Sequence, residues 1–376
     1  MTIKMLLKGF LTMPSDSLNS NSTVSTYQST QHTPFDTSLW TGRHEPYESQ
    51  RARYWYQLVS DYTNQPVCLI GFACDQGVRR NLGRVGAKEA PKTIRKAFAK
   101  LPCSTALQDR YQSQLQDESN DNALMQLIGD AGDVYCHDGD KLMDEVLELA
   151  QSDYTQRVKN IIRQGSLAVG LGGGHAIAYA SYLGLWEALN ERTEQTKLKA
   201  PRIGIINFDA HLDLRQAPTG TSGTPFRQIA EYNLELDQAF NYCAIGISQF
   251  SNTAALFDRA SELGVTIISD DSCVRLPWVD IKQQLDSFIQ SVDVIYLTID
   301  MDGFESSVVP GVSAPAAKGL SLDFVERCIE HIFAQGIVKM ADIAETNPTY
   351  DIDGRSSKVA ARLLALMAEL HLTQDK

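Results

Sequence analysis

No stretch of this sequence stays apolar for the roughly 20 residues that a membrane-spanning helix requires, so no membrane partner is expected. The nearest thing to an export leader, MLLKGFLTM, is broken by Lys8 and is not followed closely by a small-residue cleavage site. Paired cysteines are missing as well. The seven present (Cys68, Cys74, Cys103, Cys136, Cys243, Cys273, Cys328) are odd in number, scattered and free of any CxxC, which argues against a disulfide framework or a zinc ribbon. These features point to a reducing, cytoplasmic setting. Positive charge is in deficit: 34 Lys and Arg stand against 46 Asp and Glu, and a net charge of −12 disfavours nucleic acid as a partner. Internal repeats are absent. A nucleotide-binding glycine signature is lacking too. GLGGGHAIAYA falls between a strand and a helix, but its third fingerprint position is His175, and no GK[ST] follows to make a phosphate loop.

What is present is a long α/β pattern. From Pro14 to about Thr33 the chain is rich in Ser, Thr, Asn and Gln, without an apolar period, and residues 1–34 are expected to be a disordered tail before a single domain over residues 35–376. A polar gap from Gln108 to Asn122 is expected to be a surface loop. Eight β-rich runs recur between helical patterns: VCLIGF, LMQLIGD, LAVGLGGG, IGIINFDAH, YCAIGI, VTIIS, VIYLTIDMD and VKMADIAE. Several are apolar nearly throughout, as strands covered on both faces should be. The expected fold is a three-layer α/β/α sandwich around a mainly parallel eight-stranded sheet. Ser321 is placed to begin one helix, and Ser356 or Ser357 to cap the last.

The chemistry gathers at the ends of three of these runs. In NFDAHLDLR, Asp209, His211 and Asp213 alternate, and alternate residues of a strand point the same way. YLTIDMDG repeats the device with Asp300 and Asp302, and GGGH presents His175 at a helix start. Carboxylates and imidazoles converging at strand ends are ligands for divalent metal; taken singly, each motif reads equally well as a polar loop start with a capping Asp.

GGGH, NFDAHLD and TIDMDGF, in this order and followed by ADIAETNP, resemble the metal-binding signatures of the ureohydrolase superfamily, which includes arginase and agmatinase. The resemblance covers about residues 35–376 and implies an arginase-like fold with two Mn²⁺ ions. His175 and Asp213 would hold one, His211 and Asp302 the other, and Asp209 and Asp300 would bridge both. It further implies that Asp213 passes a proton to the leaving nitrogen, that Glu345 takes the amidine or guanidine of a small-molecule substrate, and that the chain forms a homo-oligomer. GFACDQGVRRNLGRVGA, the LR of AHLDLR and TSGTPFRQ are most similar to the formimidoylglutamases, which hydrolyse N-formimidoyl-L-glutamate in histidine degradation. One departure from arginases and agmatinases fits: Ser222 stands where they usually carry a histidine.

That substrate has one cationic amidine and two carboxylates, so a cationic subsite is needed besides Glu345. Candidates are Asn81 and Arg84, with Arg79 and Arg80 in the same loop, and Arg215, two residues beyond Asp213; any of these arginines could equally be a solvated surface residue. Two alternatives stay open. One is another amidine or guanidine hydrolase of the superfamily (agmatinase, guanidinobutyrase, arginase), the other a catalytically silent metal-binding member.

Overall fold

The computed structural model describes residues 30–49, 51–111, 127–136, 145–196 and 200–374. Ten strands form one sheet: β1 (Thr30–Thr33), β2 (Val59–Asp61), β3 (Val67–Ala73), β4 (Ile128–Cys136), β5 (Leu167–Gly172), β6 (Ile203–Phe208), β7 (Asn241–Ile247), β8 (Thr266–Ser269), β9 (Val294–Asp300) and β10 (Val338–Ala344). Their order is β1-β4-β3-β5-β10-β9-β6-β7-β8, with β2 also beside β4. Among the described residues, β1–β4 is the antiparallel pairing and the other strand pairings are parallel. Strand alternation divides the core into two layers. Val67, Leu69, Val169 and Leu171 face one, with helices Ala90–Phe98, Leu322–Phe333 and Arg355–Thr373; Cys68, Ile70, Phe72 and Ala168 face the other, with Val146–Arg163 and Ile177–Thr196. β3, β5, β6 and β9 are buried along their whole length, which is why they read as unbroken apolar runs. Among the described residues no helix is long and apolar enough to cross a membrane.

The structure departs from the sequence reading in several places. The two strands beyond the expected eight, β1 and β2, are only four and three residues long and carry no apolar run. β1 lies inside the expected disordered tail, pairing Thr30 with Cys136 and Thr33 with Asp133. An edge strand is held by backbone bonds that composition does not announce, so the folded unit includes Thr30; residues 1–29 lie outside the described residues. Of the polar loop expected over Gln108–Asn122, Gln108 to Arg110 complete a helix, Thr105–Arg110, capped by Ser104, and 112–122 lie outside the described residues. β4 begins four residues later than LMQLIGD suggested and continues through Asp130 and Asp133, whose charges are met by Arg95. Ser321 caps its helix as expected, accepting from Phe324 N. The last helix instead starts after Gly354 (φ 63°), and the Asp351 carboxylate receives Ser356 N at 2.9 Å and Ser357 N at 3.1 Å.

Candidate metal centre

Four adjacent strands in the middle of the sheet, β5, β10, β9 and β6, deliver the candidate residues from their carboxyl ends. β5 leads through Gly173 and Gly174 to His175, β6 to Asp209, His211 and Asp213, β9 through Asp300 to Asp302, and β10 to Glu345. The glycines have a steric reason. Gly173 N donates to Phe72 O at 2.7 Å, and a Cβ on Gly173 would fall 2.0 Å from Cys74 O, so only glycine lets this loop lie against the end of β3.

All six expected ligands converge in two groups: His175, Asp209, Asp213 and Asp300, and Asp209, His211 and Asp302. His175 Nδ1 lies 2.9 Å from Asp213 Oδ2, 3.0 Å from Asp300 Oδ2 and 3.4 Å from Asp209 Oδ2. His211 Nδ1 lies 3.3 Å from both Asp209 Oδ1 and Asp302 Oδ1. Asp209 thus stands in both groups, while Asp300 stands in the His175 group alone. Two residues hold left-handed backbone that carboxylate side chains rarely adopt, Asp213 (φ 49°) and Glu345 (φ 64°), and both aim a buried carboxyl at the cluster.

The electrostatics are those of an acid excess. Burial opposes a charge on His175, but Asp300 together with Asp209 and Asp213 holds its pKa well above the ordinary imidazole value. Asp302 raises that of His211. Asp209 is buried, yet hydrogen bonds to both imidazoles keep it below the usual carboxylate range. The other acids go the opposite way: burial and then neighbouring aspartates raise Asp213 and Asp300, burial lifts Asp302 to about 6, and burial with the charge of Asp300 lifts Glu345 to about 8.

Divalent ions fit this donor set. Asp302 Oδ1 and Glu345 Oε2 are buried and receive no hydrogen bond, and the cluster offers carboxylates and imidazoles with no thiolate, as hard cations prefer. Glu345 is anchored by its other oxygen, which accepts from His175 N at 2.8 Å. A cavity of about 420 Å³, lined by Ser248, Gln249, Phe250 and Lys318, reaches the cluster at His211.

The expected substrate arginines part company. Arg84 donates to Val312 O at 2.6 Å and Ser313 O at 3.0 Å and lies 4.2 Å above the Tyr350 ring, so its guanidinium braces a loop. Arg80 pairs with Glu148 at 2.5 Å. Arg215 and Asn81 are both exposed and meet over Gly223, where a Cβ would come within 2.9 Å of Arg215 Cδ and 3.3 Å of Asn81 Nδ2. Ser222 is buried beneath them, its N donating to Gly77 O at 3.0 Å. Three supporting residues escaped the sequence reading. Asn207 Nδ2 donates to Asp209 Oδ2 at 3.1 Å, Thr298 Oγ1 sits 3.0 Å from His175 Nε2, and Asp342 lies behind Thr298. Their signal was a polar residue in the middle of a mostly apolar strand, a burial that costs free energy unless it has a purpose.

A crossover-built parallel sheet with an aspartate and histidine cluster at its carboxyl edge agrees with what sequence comparison finds: the profile of the Arginase family matches residues 65–369, and the chain belongs to that family. Within it, the chain is 59% identical over 350 residues to formimidoylglutamase of Psychrobacter cryohalolentis, covering 91% of this chain and 99% of that one. Formimidoylglutamase of Ralstonia nicotianae is 40% identical over 343 residues, covering 90% and 97%. The crystal structure of Trypanosoma cruzi formiminoglutamase with Mn2+2 superposes with a TM-score of 0.68 at 25% identity, covering 85% of this chain and 98% of that one.

Proposed function

We propose that this protein hydrolyses N-formimidoyl-L-glutamate to formamide and L-glutamate with two Mn²⁺ ions. The observation that carries the reading is the buried ligand cluster, with more carboxylates than its imidazoles balance, in a chain so similar to formimidoylglutamases. His175, Asp213 and Asp300 would hold one ion, His211 and Asp302 the other, and Asp209 both. When bound, two such dications lower the pKa of water enough to supply hydroxide near neutral pH.

The remaining work falls to this chain's own groups. Glu345 Oε2, buried and without a donor, is an acceptor for the planar amidinium, whose positive charge would draw the carboxyl into its ionised form. With Oε1 fixed by His175 N, that acceptor keeps one direction. Attack of water on the formimidoyl carbon leaves a proton that must reach the glutamate nitrogen before the C–N bond breaks. Asp213, buried with Oδ2 2.9 Å from His175 Nδ1 at the mouth of the cluster, is the group that the family resemblance gives the task of passing it. Arg215 and Asn81 would receive the substrate carboxylates, a task Arg84 is too engaged to share. Ser222 supplies no imidazole, which disfavours the guanidine substrates of histidine-bearing relatives.

The test is to load the purified protein with manganese and assay formimidoylglutamate, arginine, agmatine and guanidinobutyrate side by side. The expected result is turnover of formimidoylglutamate with release of formamide. Faster turnover of any guanidine would overturn the substrate, and no turnover of any of the four would favour the silent member.

A further inference from the structure

One step below the ligands, a row of polar residues crosses the central strands in register: Asp342 of β10 stands opposite Thr298 of β9, and Thr298 opposite Asn207 of β6. Asn207 is 0% exposed and reaches the candidate ligand Asp209, the one carboxylate shared by both ligand groups. The two oxygens of Asp209 are divided between those groups. Oδ1 lies 3.3 Å from His211 Nδ1 and Oδ2 lies 3.4 Å from His175 Nδ1. Each oxygen also accepts one hydrogen bond: Oδ1 from His211 N at 2.7 Å, a backbone donor in the loop after β6, and Oδ2 from Asn207 Nδ2 at 3.1 Å. The orientation of the Asn207 amide follows from its neighbours, since a carboxylate oxygen only accepts and the atom facing it has to be the nitrogen. The second amide hydrogen goes to Tyr242 OH at 3.0 Å, and that hydroxyl donates to Leu212 O at 3.4 Å. Tyr242 is stacked on Phe226 with ring centroids 4.4 Å apart, and Phe226 meets the His175 ring edge-on at 5.4 Å. Asn207 Oδ1, by contrast, is buried without a donor. An orphaned amide oxygen costs free energy that an aliphatic side chain would not, so the amide is kept here for its nitrogen.

We propose that Asn207 is a positioning residue that fixes Oδ2 of Asp209 towards the His175 group and so makes this one carboxylate bridge both ions. A carboxylate bridges two cations only while it presents one oxygen to each; free to turn about its Cβ–Cγ bond, it can give both oxygens to one ion. One donor on each oxygen removes that freedom. An ionised carboxylate oxygen has about two acceptor directions, so a single N–H on each leaves the other direction for a cation. The amide nitrogen has no lone pair to offer, and the bond from Asn207 to Asp209 cannot reverse. The two oxygens are nevertheless held unequally. The donor to Oδ1 is a backbone N–H that no substitution of a side chain removes, whereas Oδ2 depends on Asn207. Loss of the Asn207 side chain should therefore weaken the ion on the His175 side and spare the one on the His211 side. Outer partners of metal ligands are typically worth about 10- to 100-fold in metal affinity.

The proposal rests on the two-ion reading above, and the experiment separates the two. Manganese titrations of stripped protein, followed by calorimetry and by the EPR signal of Mn²⁺, would compare wild type with Asn207→Leu, which is close to the amide in size and donates nothing, and with Tyr242→Phe. Asn207→Leu should bind one ion within about threefold of wild-type affinity and the other about 10- to 100-fold more weakly. With one equivalent bound, its EPR spectrum should match that of Asp213→Ala, which has lost a ligand of the His175 group alone, and differ from that of Asp302→Ala. Tyr242→Phe carries the test if Asn207→Leu does not fold: it releases the second amide hydrogen, lets the amide turn, and should weaken the same ion by about three- to tenfold. Wild-type affinity for both ions in Asn207→Leu, equal weakening of the two, or a single-ion spectrum like that of Asp302→Ala overturns the role of Asn207 and leaves the metal centre standing. If only Tyr242→Phe folds, unchanged affinity or a loss on the other ion overturns it. A wild type that binds fewer than two ions overturns the two-ion reading and the proposal with it.

Discussion

Two buried ionic clusters sit on the same sheet, and they are built to opposite ends. At β4, Arg95 donates through Nε to Asp130 Oδ2 at 3.0 Å, through Nη2 to Asp130 Oδ1 at 2.7 Å and Gly132 O at 3.0 Å, and through Nη1 to Asp133 Oδ1 at 2.5 Å. Trp40 Nε1 adds a bond to Asp130 Oδ2 at 3.0 Å, and Gly132 N one to Oδ1 at 3.0 Å. Burial works against the guanidinium, yet the two aspartates raise its pKa above its ordinary value. At the carboxyl ends of β5, β6, β9 and β10 the balance is reversed: acids outnumber imidazoles, Asp302 and Glu345 each keep an oxygen without a donor, and Asp213 and Glu345 hold left-handed backbone. The first cluster is closed by the protein's own donors. The second is left open, with strained backbone and raised carboxyl pKa values, which is the condition of a site that awaits a ligand.

The largest effect should come from the open cluster. Asp209→Ala removes the one carboxylate common to both ligand groups and is expected to lower kcat/KM by about 10³-fold or more, with bound manganese falling in parallel by elemental analysis. Full activity with a single bound ion would break the comparison.

The closed cluster should fail differently. Arg95→Met leaves Asp130 and Asp133 buried without their cation, and breaking such a pair typically costs about 3–5 kcal/mol. Denaturant unfolding should show that loss, while the folded fraction keeps its manganese content. If Arg95→Met instead removed metal without destabilising the fold, the two clusters would not be separate.

At the rim, Arg215→Ala is expected to raise KM for formimidoylglutamate by about 10- to 100-fold, the worth of a charged hydrogen bond, without changing metal content. Arg84→Ala, whose side chain braces Val312 and Ser313, should affect thermal stability more than KM. Initial-rate kinetics on both variants decide which arginine serves the substrate.

The pH dependence sharpens the contrast further. In the stripped protein, Asp302 titrates near 6 and Glu345 near 8, both above their ordinary values, and His175 and His211 are raised as well. The folded state therefore binds more protons than the unfolded state through this range, so its stability should fall as pH rises from about 4 to 8. A cation displaces those protons, and the rise in Tm on adding manganese should be larger at pH 8 than at pH 5.5. A Tm gain independent of pH would contradict the acid excess. The smallest effect is at the chain start: deleting residues 1–29 should leave Tm and turnover unchanged, whereas extending the deletion through Thr33 removes β1 and should lower Tm measurably.

Much of the site was legible because its logic is local. Asp209, His211 and Asp213 share a spacing that a strand end turns to one side, as do Asp300 and Asp302, and the apolar runs before them mark strands covered on both faces. These short-range rules were sufficient to point to a parallel α/β sheet with metal ligands at its carboxyl edge. They failed where the deciding partner is remote in sequence. Arg84 and Arg215 look alike as arginines near a motif, and only the fold sets one against Val312, Ser313 and Tyr350 and leaves the other exposed beside Asn81. β1 was hidden for the same reason, since its stability lies in backbone bonds to β4, about a hundred residues away. The row through Asp342, Thr298 and Asn207 is the clearest case. Each strand's own sequence places a polar residue within a mostly apolar run, but the bond from Thr298 to His175 exists only because strand order and register bring β9 and β5 to either side of β10. Sequence determined which chemistry this chain carries; tertiary structure decided which groups meet, because register is a property of paired strands and not of any one of them.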